Sequence, residues 1–100
     1  MDFEERIRWL KDQLDRDDAR GSVRGQIGQA YLAAGDADSA EKWFLEAARH
    51  AEWSEIALVP LTWAKRAARA NPTSLVARRE YARQWQRSGM PGDPPPPDAD

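Results

Sequence analysis

Apolar residues recur along this chain at the intervals of helices packed on one side. Phe3, Ile7, Leu10 and Leu14 step by 4, 3 and 4, which predicts an amphipathic helix over about 2–15. Asp15-Arg16-Asp17-Asp18 then favours a short polar turn. From Ser22, the residues Val23, Ile27, Ala30, Tyr31 and Ala34 share a face, and Gly35-Asp36 ends that helix. A third helix is expected from about Ala37, with Ala40, Phe44, Ala47, Ala48 and Ala51 on one side. Trp53-Ser54 breaks it.

Pro60 complicates the fourth helix, because proline removes a backbone donor and clashes with the preceding turn. The helix either starts at Ser54 and bends at Pro60, or starts late, near Val59. The first reading is preferred, with Asn71-Pro72 as the stop. Thr73 or Ser74 caps a fifth helix over about 74–88, closed by Gly89. The last ten residues, with Pro94 to Pro97 among aspartates, are expected to form an extended, mobile tail outside the core. Proline-rich segments dock in aromatic grooves, but a chain end of this kind is more simply solvated. The fold class expected is all-α, with four to five antiparallel helices in one domain over 1–90 and a disordered tail over 91–100.

Residues 21–54 resemble a tetratricopeptide repeat, a helix–turn–helix unit of about 34 residues. The matching residues are Ile27-Gly28, Tyr31, Gly35, Ala40, Phe44 and Ala47. Gly28 and Ala40 are small where two helices approach closely, and Tyr31 and Phe44 fill the wedge beside them. The pattern departs at Arg24 and Glu52, where the family has a large aromatic and a proline, and Gly25 adds a further small residue to the first helix, which suits close approach by another helix or by a ligand. Tyr81-Ala82, Trp85 and Gly89 echo Ile27-Gly28, Tyr31 and Gly35 at a displacement of 54. Ala64, Ala67 and Pro72 look like the closing half of a repeat. One repeat leaves two open faces, so helix 1 must cover one side and helices 4 and 5 the other.

The resemblance implies an adaptor that binds a protein partner or a copy of itself. It places the peptide-binding groove on the first helix of the repeat, at Ser22, Gly25, Gln29 and Leu32. The lysine, arginine and asparagine of the family's carboxylate-gripping version are missing there.

Charge sharpens the picture. The net charge of −2 hides an acidic first part, with 8 basic and 13 acidic residues over 1–59, and a basic stretch over 60–90 with 7 basic residues and only Glu80 acidic. Arg79, Arg83 and Arg87 lie at four-residue steps on helix 5, and Lys65, Arg66 and Arg69 cluster on helix 4. This surface suits an acidic protein or peptide. Nucleic-acid phosphate is the alternative, disfavoured because the whole chain is acidic and no reader motif is present. The plainer reading is a solvated face, partly neutralised by the acidic N-terminal half or by the aspartate tail. Five tryptophans are too many for the core alone. Trp9 projects about 120° from the helix 1 seam and is a candidate contact, as are Trp53 and Trp63 at helix junctions.

Several chemistries find no support. There are no cysteines, His50 is a lone histidine, and Gly25 to Gly28 lacks the strand before and Lys-Ser/Thr after of a phosphate loop. No nucleophile–base pair stands at sensible spacing, so neither enzyme activity nor a metal or cofactor is expected. No apolar run approaches bilayer length and the acidic N-terminus lacks a signal-peptide layout, so a cytoplasmic address is expected.

Overall fold

The computed structural model describes residues 2–15, 21–53 and 56–98. Among them are five α-helices and no strand: α1 (Phe3–Asp12), α2 (Ser22–Ala33), α3 (Ala37–His50), α4 (Leu58–Ala70) and α5 (Leu75–Arg87). Single 3₁₀ turns follow α1, at Gln13–Asp15, and α3, at Ala51–Trp53. Each helix packs on the next in chain order.

Three of the five helices, α1, α3 and α5, start where a side chain accepts an orphan first-turn donor. Asp2 accepts from the Glu5 amide at 2.8 Å and Asp36 from Ser39 at 3.0 Å. Ser74, rather than Thr73, caps α5 by accepting from Ala77 at 3.2 Å. Between α2 and α3, Gly35 takes φ +85°, which only glycine adopts without strain. The amides of Gly35 and Asp36 then bond Leu32 O and Tyr31 O at 3.0 and 2.9 Å, a Schellman closure. Of the polar turn expected at Asp15-Arg16-Asp17-Asp18, Asp15 closes the 3₁₀ turn and the rest lies outside the described residues, as does Ser54.

Helix 4 does not start at Ser54. It begins at Leu58, which makes Pro60 its third residue. The first four amides of a helix have no intrahelical acceptor, so the missing donor of Pro60 costs no bond there, and its ring is fully buried. Pro60 therefore sits in the first turn of this helix, where proline is tolerated.

Two clusters hold the molecule. Ile7 and Leu10 of α1 meet Ile27 and Ala30 of α2, with Trp43 and Leu14 alongside. The larger cluster joins Ala40, Phe44 and Ala48 of α3 to Leu61, Ala64, Ala67 and Ala68 of α4 and to Ala77 and Tyr81 of α5. Alanine at these positions lets α3 and α4 come close. Phe44 lies against Gly28, where a Cβ would stand 2.9 Å from the ring and 3.2 Å from Ala40 O. Tyr31 packs against both clusters, its ring edge-on to Phe3 at 5.2 Å.

Polar contacts fasten the second half. The Glu41 carboxylate on α3 accepts from Asn71 Nδ2 and Ser74 Oγ, each at 2.7 Å, pinning the α4–α5 turn. Glu52 accepts from Arg83 at 2.8 Å and Arg87 at 3.1 Å, tying α5 to the turn after α3.

Candidate functional site

The groove expected on α2 is filled. Gly25 is buried beneath the indole of Trp63, whose six-membered ring occupies the space a Cβ would need. Leu32 packs, half-buried, against the larger core cluster, which leaves only Ser22 and Gln29 exposed. Gly25 and Leu32 are therefore packing residues. The extra glycine admits Trp63 of α4, not a ligand. Trp63 itself stacks near-parallel on Phe44 at 6.2 Å and carries the Arg66 guanidinium 4.9 Å from its ring centre, a cation–π arrangement. It too is a packing residue at a helix junction.

Trp9 is 53% exposed on α1. It lies on the first helix of the stack, while the arginines lie on the last two, so these candidates do not form one surface. The side chain of Trp53 lies outside the described residues. His50 is exposed at the end of α3. Among the described residues, no group of three or more His, Cys, Asp or Glu is arranged to hold a metal ion. No helix among them is long and apolar enough to cross a membrane.

The basic stripe divides in two. Arg83 and Arg87 are engaged by acids: Arg83 bonds Glu80 at 2.7 Å and Glu52 at 2.8 Å, and Arg87 bonds Glu52 and Gln84. These carboxylates raise the Arg83 pKa further above its ordinary value. Burial alone would raise the Glu80 carboxyl, but hydrogen bonds from Arg83 and Gln84, helped by the charges of Arg83 and Arg49, hold it below the usual carboxylate value. Arg69 also reaches the C-terminal segment, and Arg66 and Arg79 line the hollows beside it.

That segment does not project away from the fold. It turns back after Gly89 and runs along α5 in the opposite direction. Trp85 Nε1 donates to Gly92 O at 3.0 Å, Tyr81 Oη to Pro95 O at 2.9 Å, and Arg69 Nε to Pro97 O at 2.9 Å. Trp85 and Tyr81 are one helical turn apart, so α5 presents both donors on one side, and Arg69 completes the row from α4. The logic is that of proline. Pro94 to Pro97 have no amide hydrogens, so carbonyl oxygens are the only backbone groups this stretch offers. A face that reads it must supply side-chain donors, and indole, phenol and guanidinium are such donors. Burial pushes the Tyr81 phenol above its ordinary value, against the opposing charge of Arg69.

Two hollows flank the docked segment. One, of about 610 Å³, lies on its α5 side and is lined by Leu75, Arg78, Arg79 and Ala82. The other, of about 360 Å³, lies between α4 and α5, lined by Leu61, Thr62, Lys65, Arg66 and Arg69 beside Tyr81 and Trp85. Charge patterning singles out Arg66, Arg69 and Arg79 as surface residues but not Tyr81 and Trp85, which in sequence stand only as echoes of a repeat. The missed signal was donor-bearing aromatics at a four-residue step, followed closely by a donor-less proline run.

The chain matches no protein-family model, no curated protein and no solved structure.

Proposed function

We propose that this protein is a non-catalytic interaction scaffold of tetratricopeptide-like design, binding a protein partner in the manner of an adaptor. The observation that carries the reading is the row of donors on the α4–α5 face. Arg69, Tyr81 and Trp85 all reach backbone carbonyls of an extended chain, and side chains that read main-chain atoms in this way are the chemistry of peptide recognition. The helix-hairpin packing of Gly28, Ala40 and Phe44 supports the scaffold half of the reading. The contact surface expected on α2 moves to α4 and α5, because Trp63 closes the former. Nucleic acid is disfavoured further, since Glu52 and Glu80 already engage Arg83 and Arg87.

Native affinity capture of the full chain tests this. The expected result is a protein recovered in stoichiometric amount and unaffected by nuclease treatment. Recovery of nucleic acid alone, or of no protein above the level of a scrambled-sequence control, contradicts it.

A further inference from the structure

We propose that the α4–α5 face is a receptor for an acidic, proline-rich segment of a partner protein, and that residues 92–97 occupy it in cis. The proposal rests on the interaction-scaffold reading and names the class of partner.

Three observations converge on this ligand chemistry. The donors are spaced along the segment at Gly92, Pro95 and Pro97, all carbonyl acceptors, as a proline run requires. Cations border the segment on both sides, with Lys65, Arg66 and Arg69 on α4 and Arg78 and Arg79 on α5, while Asp93 and Asp98 bracket the prolines. Charge of this kind favours an acidic chain over a neutral one. Finally, the tail underfills the face: the two hollows beside it stay open, and Leu75, which lines one of them, remains 59% exposed. A partner with apolar residues next to its prolines fills what the cis segment leaves.

The tether sets the competition. A short linker holds the tail at an effective concentration on the order of millimolar, so an external segment binds the intact chain weakly and the opened chain more tightly. The cis tail thereby screens the face from weak ligands.

The test uses a fluorescent peptide carrying residues 91–98 as the probe, with the full chain as receptor. The receptor is either wild type or a full-length variant with Pro94, Pro95, Pro96 and Pro97 changed to Ser. The expected result is binding to the Ser-tail variant at least about tenfold tighter than to wild type, weakened by added salt. Tyr81→Phe, which removes only a hydroxyl from a packed ring, and Arg69→Gln, at an exposed position, should each weaken binding in the Ser-tail background. Circular dichroism of each variant confirms that the helices are kept. No binding to the Ser-tail variant, or equal binding of a probe with serine at every proline, overturns the proposal. So does a wild-type dimer that becomes monomeric in the Ser-tail variant, which assigns the face to tail exchange between copies. If the probe fails while affinity capture still recovers a protein, the receptor is overturned and the scaffold reading stands.

Discussion

The indole of Trp63 sits where a side chain on Gly25 would have to go. This contact joins α2 to α4 across the helix between them, and it fills the expected binding groove at Gly25.

Gly25→Ala should therefore destabilise the protein by about 1–3 kcal/mol through overpacking, although alanine alone gains roughly 1 kcal/mol of helix propensity. Trp63→Phe removes the six-membered ring of the indole, so Gly25→Ala should cost less in that background. Urea denaturation of the two single variants and the double variant measures the coupling. A stabilising Gly25→Ala in wild type would show the indole elsewhere.

Glu41 anchors the α4–α5 turn through Asn71 and Ser74. Glu41→Ala should cost about 1–2 kcal/mol, and Ser74→Ala about 1 kcal/mol for the lost cap. The Ser74 hydroxyl serves both roles, donating to Glu41 and accepting from Ala77. The double variant should thus lose less than the two single losses combined, as read by thermal unfolding.

Acid should weaken the Glu80–Arg83 pair within α5. Glu80 has a folded pKa below its ordinary 4.5, so its contribution to stability is fully present above that value and is lost as pH falls through the folded pKa. Glu80→Gln should flatten the acid limb of the stability profile below about pH 4.5 and leave the neutral region with a smaller change. Unfolding midpoints across the acid range provide the check.

Alkali should act on the tail. The folded pKa of Tyr81 lies above its ordinary 10.0. The contribution of its neutral phenol is present below that value and lost as pH rises through the folded pKa, where the phenolate can no longer donate to Pro95 O. In a Tyr31→Phe background, near-ultraviolet absorbance reports Tyr81 alone. The Ser-tail variant should titrate closer to the ordinary value, because the segment that lies against the phenol at Pro95 is released.

Much of the helical frame was legible in the sequence because it is set by local rules. The seam of Ile7 and Leu10, the cap of α5 at Thr73 or Ser74, and the turn at Gly35 each depend on residues within a turn or two. The close packing of Gly28 against Phe44 and Ala40 was also readable, since small residues at a helix crossing leave few alternatives. What escaped depended on distant partners. Gly25 suits close approach by a helix or a ligand, but nothing within α2 says that it is Trp63, 38 positions on, that covers it. Pro60 fits either a bent helix or a late start, and burial of its ring decides for the second. Composition describes the tail as a segment unable to build a core. That is true of its own side chains but says nothing of what its carbonyls receive from Arg69, Tyr81 and Trp85.

The most direct test is the indole proton of Trp85, followed by heteronuclear NMR of the full chain in wild type and with Pro94 to Pro97 changed to Ser. Docking predicts that this proton exchanges slowly with solvent in wild type, shows a nuclear Overhauser contact to Gly92, and both shifts and exchanges faster in the variant. An indole resonance with the same position and exchange rate in the two proteins, and no contact to Gly92, would contradict it.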